Sequence, residues 1–248
     1  MAPEKQQKEH HLKDRLIVAL DFDSKERALE LVQALSGRLS TFKVGHQLFT
    51  RYGPPIIRKI HDLGGRVFLD LKYHDIPTTV AKAGIEAARL GVFMFNVHVS
   101  GGGTMMKRCT EMVSEACQRE GLNRPWIIGV TLLTSVCEET LRDDLGVSRS
   151  IGQQVRHFAT LAKADGLDGV VASAREISEI REACGDDFVI VTPGIRPEGA
   201  SLDDQSRVAT PRWAIQKGAD YLVIGRPITG ADDPLKSVEA ILGEMEEA

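Results

Sequence analysis

Cysteine is scarce in this chain. The four present (Cys109, Cys117, Cys137 and Cys184) form no C-x-x-C pair and no spacing that suits zinc. That argues against a disulfide framework, a metal site and thiol redox chemistry, and sets a reduced, cytoplasmic compartment as the expectation. Long apolar runs are also missing. No stretch approaches the ~20 residues that span a bilayer, and the polar opening M-A-P-E-K-Q-Q-K-E-H-H-L-K-D-R lacks the apolar segment a secretory signal needs. There is no surplus of positive charge either. Lys and Arg number 31 against 35 Asp and Glu, a formal net charge of −4, so neither nucleic acid nor an anionic membrane is an expected partner. The seven histidines make no H-x-x-x-H or H-E-x-x-H pattern, which leaves His74 and His98 as packing or supporting residues near a site rather than metal ligands. Ser100-Gly101-Gly102-Gly103 has neither dinucleotide-fingerprint nor P-loop spacing and reads as a strand-to-helix turn. Met105 and Met106 read as helix core.

What is present is a core-forming composition, 42% hydrophobic and 27% charged over 248 residues, arranged in a repeating pattern. Short apolar runs at 15–21, 41–45, 66–71, 94–99, 126–133, 168–173, 188–193 and 220–225 read as strands, most of them apolar on both faces. Helical periodicity fills the intervals near 24–36, 46–63, 77–91, 103–120, 149–165, 174–184, 210–218 and 233–246. Asp23 with Glu26 and Ser173 with Glu176 have capping-box spacing, and Thr210-Pro211 reads as an N-cap followed by proline at the first helical position. Strands and helices in alternation, eight of each, fit a single-domain α/β fold of the (β/α)8 TIM-barrel type over residues 15–248, with a doubly wound open sheet as the alternative that periodicity leaves open. Residues 1–14 read as a flexible extension.

Charges recur at the carboxyl ends of the apolar strands, where a barrel builds its active site. Asp21 ends the first, Lys43 lies in the second, and Asp70 and Lys72 end the third. Strand alternation points Asp70 and Lys72 to one face with Leu71 opposite, and Lys43 on the neighbouring strand can meet them. A lysine flanked by carboxylates is stabilised as the ammonium, which suits a proton donor or electrostatic anchor better than a Schiff-base nucleophile. Two further signals follow the last strands: Thr192-Pro193-Gly194-Ile195-Arg196 and Ile224-Gly225-Arg226-Pro227. Loops in these positions of a barrel often bind phosphate through backbone N–H groups, and arginine adds a bidentate contact.

The block D-L-K-Y-H-D-I-P at residues 70–77, together with L-I-V-A-L-D, F-K-V-G, N-V-H, T-P-G-I-R and V-I-G-R-P in this order, resembles the orotidine 5′-monophosphate decarboxylase family from about residue 15 to the end. The resemblance implies a dimeric barrel with active sites at the subunit interface, no cofactor and no metal, converting orotidine monophosphate to UMP and CO2. Matched motif by motif, it implies Lys72 as proton donor to C6, Asp70 against the substrate carboxylate, and Lys43 completing the charge network. It implies Asp75 reaching into the partner's site with Ile76 and Thr79 beside it, Asp21 on the ribose and Thr134 on the pyrimidine. Arg196, Gln205, Gly225 and Arg226 would hold the phosphate, with Gln205 on a lid of roughly residues 197–206. Two departures are visible: Gln47 stands where the family often has glutamate, which touches only a local hydrogen bond, and Tyr73 where phenylalanine is common, so that an added hydroxyl needs a partner or solvent. The nearest rival is a Mg2+-dependent phosphate-binding barrel lyase sharing D-x-K-x-x-D. A non-catalytic barrel that retained the phosphate site is a further one.

Overall fold

Each of the eight apolar runs forms a strand, and the strands pair in parallel and in sequence order until the eighth meets the first, which selects the closed barrel over the open sheet. The computed structural model describes residues 12–197 and 209–248. The strands are β1 Leu16–Ala19, β2 Thr41–Gly45, β3 Arg66–Tyr73, β4 Met94–His98, β5 Trp126–Val130, β6 Gly169–Val171, β7 Val189–Thr192 and β8 Tyr221–Ile224. The helices, in chain order, are α1 Leu12–Arg15, α2 Lys25–Leu35, α3 His46–Tyr52, α4 Pro54–Asp62, α5 Pro77–Arg89, α6 Gly103–Glu120, α7 Ile151–Ala164, α8 Ile177–Cys184, α9 Pro211–Gln216, α10 Arg226–Thr229 and α11 Pro234–Glu246.

Two-residue alternation divides the apolar side chains between two cores. Ile17, Ala19, Phe68, Met94, Ile128, Val191, Tyr221 and Val223 fill the barrel interior. Their neighbours, among them Val18, Val44, Leu69, Phe95 and Ile127, pack outward against the helices. This is why the strands read as apolar on both faces. The interior is a packed plug, as barrels of this size require. Its floor is aromatic: the Arg66 guanidinium lies 4.3 Å from the centre of the Phe93 ring, with the Trp126 and Tyr221 rings 5.8 Å apart beside it. Below the floor, Arg15 donates to the Ala219 carbonyl at 2.6 Å, and Arg181 donates to the Gly218 carbonyl at 2.7 Å and pairs with Asp220. The charged bottom face thus ties the strand entrances together.

Several expected boundaries shift for identifiable reasons. The single helix expected over 46–63 is two, α3 and α4, because Gly53 adopts φ 58° and Pro54 starts a new helix. Asp23 does not cap α2. Ser24 does, accepting from the Glu26 and Arg27 N–H groups, while Asp23 bonds to Gln47 instead. Among the described residues Ser173 accepts from the Arg175 N–H, at the start of a tight 3-10 turn, rather than from Glu176 as the box would require. A box does form at Ser150 and Gln153 ahead of α7. Thr210 caps α9 with Pro211 at its first position, as expected. Met105 and Met106 are buried in α6. Among the described residues no helix is long and apolar enough to cross a membrane.

Gly169 of β6 stands close against Val189 of β7. A Cβ there would overlap the Val189 carbonyl oxygen and come within 2.6 Å of the Val189 Cβ. Gly169→Ala is therefore expected to destabilise the barrel by about 1–3 kcal/mol, the usual cost of overpacking, despite the smaller unfolded-state entropy of alanine. Urea denaturation of the two proteins measures this directly, and an unchanged midpoint would contradict it.

Candidate active site

The charged residues expected to meet do meet, at the carboxyl end of the barrel. Lys72 Nζ lies 2.7 Å from Asp70 Oδ1, and Lys43 Nζ lies 3.4 Å from Asp70 Oδ2 and 3.1 Å from Asp21 Oδ1. The four groups form an alternating chain of Asp21, Lys43, Asp70 and Lys72. Parallel pairing of β2 and β3 sets this spacing, with Gly45 beside Asp70 in register. A Cβ at Gly45 would stand 3.1 Å from Lys43 Nζ and 3.4 Å from Asp21 Oδ1, so a larger residue there would press on the pair.

Burial alone would raise the Asp70 carboxyl. Lys43 and Lys72, together with hydrogen bonds from Lys72 and Asn96, outweigh burial and hold it below the ordinary aspartate value. The carboxylate is therefore permanently negative at neutral pH. His98, at the end of β4, is also lowered, which for an imidazole favours the neutral form. Burial, reinforced by His74 and Lys72, lowers its affinity for a proton, and the His74 and His98 rings lie 5.4 Å apart beside the cluster.

Lys72 is the one non-glycine residue with positive φ, 47°, among the described residues. This left-handed conformation costs about 1–2 kcal/mol for an L-residue with a side chain, and its position at a charged centre is typical of strain held for function. The β3–β4 ladder breaks there: Leu69 pairs with Phe95, and pairing resumes at Tyr73 with Val97. Asn96 fills the gap, accepting from the Lys72 N–H and donating to Asp70 Oδ1, both at 2.7 Å. The expectation from sequence alone did not include Asn96. Its signal was available, as the polar residue inside the apolar strand M-F-N-V-H.

Two cavities open on the cluster and share Lys43, Pro193 and Val223. The first, about 250 Å³, is lined by Asp70, Lys72, Leu132, Thr134 and Ser135 among others. The second, about 440 Å³, is lined by Asp21, Gly194, Arg196, Gly225, Arg226 and Thr229. One end thus carries the ion chain and Thr134, and the other two arginines. Arg196 is buried, with Nη1 donating to the Ile195 carbonyl, whereas Arg226 is exposed at the start of α10.

Asp75, Ile76 and Thr79 are not drawn into the cluster. All three are exposed, Ile76 at 68%, and Asp75 Oδ1 accepts only from the neighbouring Ile76 N–H among the described residues. Gln205 and most of the expected lid, 198–206, lie outside the described residues. The Tyr73 ring packs 5.9 Å from Phe95, and burial pushes its hydroxyl up to about 12. Among the described residues no group of three or more His, Cys, Asp or Glu side chains is placed to hold a metal ion.

A closed parallel barrel with an ion chain and paired arginines around one cleft defines a (β/α)8-barrel enzyme whose site lies at the strand carboxyl ends. The profile of the "Orotidine 5'-phosphate decarboxylase / HUMPS family" matches residues 14–241, and the chain belongs to that family. An orotidine 5'-phosphate decarboxylase of Syntrophotalea carbinolica is 54% identical over 93% of this chain and 94% of its own length. That of Moorella thermoacetica is 52% identical over 95% and 94%. The crystal structure of orotidine 5'-phosphate decarboxylase from Lactobacillus acidophilus superposes with a TM-score of 0.82 at 38% identity, covering 94% of this chain and 99% of that one.

The Asp70 carboxyl is expected to titrate below the ordinary value of 3.8. Because its folded pKa is depressed, its contribution to stability is present above the unfolded value and is lost as pH falls through the folded one. A 13C NMR titration of the Asp70 carboxyl reads the midpoint, and a midpoint above 3.8 would contradict the charge balance described here.

Proposed function

We propose that the protein removes CO2 from orotidine 5′-monophosphate to give UMP, a step of pyrimidine biosynthesis, as a cofactor-free cytoplasmic homodimer. The observation that carries this reading is the Asp21–Lys43–Asp70–Lys72 chain at the junction of two cavities, one of which ends in two arginines. Relatives near 50% identity over nearly the whole chain bear the same name.

The nucleotide's phosphate occupies the end with Arg196 and Arg226, joined by Gly225 and Gln205. Its ribose meets Asp21, and its pyrimidine lies in the first cavity beside Thr134. The C6 carboxylate then faces Asp70. Breaking the C6–carboxylate bond releases CO2 and leaves the electron pair on C6, in the ring plane, where the π system does not delocalise it. The Lys72 ammonium neutralises that developing charge and delivers its proton to C6. Repulsion between Asp70 and the substrate carboxylate is worth about 4 kcal/mol at 4 Å and an effective dielectric of 20. Enzymatic accelerations reach about 23 kcal/mol, so the larger share is carbanion stabilisation by preorganised charge. Phosphate contacts remote from C6 supply binding energy that holds the carboxylate against Asp70.

Turnover is read from the ultraviolet absorbance change of orotidine monophosphate with purified protein. The expected result is decarboxylation insensitive to EDTA, abolished in Lys72→Ala with the fold retained. In Arg226→Ala, kcat/KM should fall about 10- to 150-fold, the value of one charged hydrogen-bond contact. A flat trace from wild-type protein that still binds UMP would favour a non-catalytic barrel, and loss of activity on chelation would favour the Mg2+-dependent rival.

The exposure of Asp75, Ile76 and Thr79 supports the second half of the proposal. These residues serve the partner's site across a dimer interface. Mixing inactive Lys72→Ala and Asp75→Asn proteins should restore activity, since one site of a mixed dimer is then intact. Failure to recover activity in demonstrated mixed dimers would mean that each protomer uses its own Asp75.

A further inference from the structure

The β3–β4 ladder carries an irregularity that the reading of Lys72 and Asp70 does not itself explain. Between the pairs Leu69–Phe95 and Tyr73–Val97, β3 runs through Asp70, Leu71 and Lys72 while β4 offers only Asn96. Three residues therefore oppose one, and the regular backbone bonds of the ladder are interrupted where the charged cluster stands. Asn96 is 1% exposed, and its carboxamide is used in both directions. Oδ1 takes the Lys72 N–H that the broken ladder leaves over, and Nδ2 donates to the same Asp70 oxygen that receives the Lys72 ammonium.

We infer that Asn96 is a positioning residue for the decarboxylation, holding the Lys72 backbone in its left-handed turn and orienting Asp70 Oδ1 beneath the Lys72 ammonium. Two properties of the amide are needed at once. An acceptor alone would secure Lys72 and leave Asp70 held only by the two flexible lysine side chains. A donor alone would leave the part-buried Lys72 N–H without its side-chain acceptor, and β3 would relax toward a straight strand that carries the ammonium elsewhere. Among ordinary side chains of this length, asparagine supplies both. The inference rests on the proposed reaction for its catalytic consequence, but its structural half stands on the hydrogen bonds alone.

The two halves have separate readouts. Asn96→Ala removes both bonds. Asn96→Asp is nearly isosteric and retains the acceptor, but it replaces the donor with a second carboxylate beside Asp70. The charged groups that face Asp70 are Lys43 from β2 and Lys72 from its own strand, with His98 of β4 nearby and Asp21 beyond Lys43. The carboxyl added by Asn96→Asp is therefore the one new charge. In Asn96→Ala, kcat on orotidine monophosphate should fall about 100-fold, the scale of an ångström misplacement of a catalytic group. UMP affinity should be unchanged, because the nucleotide's phosphate end lies in the other cavity. The Lys72 13Cα resonance should move toward its extended-strand value. In Asn96→Asp the Lys72 resonance should stay in place while the Asp70 titration midpoint rises and kcat falls.

A merely structural role would lower thermal stability and UMP affinity together and leave kcat of the folded protein near the wild-type value. Wild-type kcat in a folded Asn96→Ala protein, or an unmoved Lys72 resonance in it, would overturn the inference. If Asn96→Ala does not fold, Asn96→Asp decides: a displaced Lys72 resonance or wild-type kcat in it would overturn the inference. Absence of turnover in the wild-type protein would count against the proposed reaction, while the two NMR readouts would still decide the role of Asn96.

Discussion

A carboxylate only 13% exposed, held between two ammonium groups that are 11% and 23% exposed, is the constraint on which the barrel mouth depends. Alone, each of these charges is costly to remove from water. Asp70 remains ionised because Lys43 and Lys72 flank it, and two ammonium groups tolerate each other's proximity because Asp70 lies between them. The three are mutually conditional, so the fold must deliver all of them to one spot or none. A closed parallel barrel does so with rigid strands rather than loops, Lys43 from β2 and Asp70 with Lys72 from β3. Asp21, on the loop after β1, extends the alternation to solvent through Lys43.

That requirement reaches into the backbone. Two side chains of one strand separated by a single residue already share a face. Bringing the Lys72 ammonium to 2.7 Å from Asp70 is nevertheless accompanied by a left-handed backbone at Lys72 and a broken ladder with β4. The surrounding barrel is packed tightly enough to hold such a conformation, with Phe68 and Met94 filling the layer beneath it. The same rigidity fixes the separation between the ion chain and the arginines of the β7 and β8 loops. Contacts made at one end of a long ligand can then act at the other.

Much of this was legible from sequence. The strand count, the alternation placing Asp70 and Lys72 on one face, and the approach of Lys43 follow from the two-residue period of a strand and from parallel neighbours. Closure did not follow, because a period says nothing about whether the last strand meets the first. The left-handed Lys72 was invisible as well, since bulges carry no glycine here to announce them. Asn96 could have been suspected as a polar residue in an apolar run, but its two partners come from another strand and depend on a register that breaks. Asp23 and Ser24 were both eligible caps for α2. The choice was made by Gln47, twenty-four residues away, which engages the Asp23 carboxylate and leaves Ser24 to the helix. The two-residue period likewise gives no position for Asp75, which follows β3 and stands exposed outside the ion chain.

Gln47 also shows how the first two strands act as one unit. Asp23 receives the Gln47 amide on its carboxylate, and its backbone carbonyl accepts from Arg51 at 2.8 Å and from the Tyr52 hydroxyl at 3.2 Å. All three donors belong to α3, which begins immediately after the strand that carries Lys43. The loop bearing Asp21 is thus fastened to the helix that continues from Lys43, and the 3.1 Å pair between them closes the circuit. A glutamate at position 47 would face the Asp23 carboxylate with like charge in this setting, whereas the amide supplies a donor at no electrostatic cost. The net charge of −4 therefore says little about an anionic ligand. Among the described residues, Asp21 is engaged by Lys43, Asp23 by Gln47, and Asp70 by two lysines and an amide. The positive groups of the cleft are thus local to it, Lys43 and Lys72 in the ion chain and Arg196 and Arg226 on the lining of the second cavity.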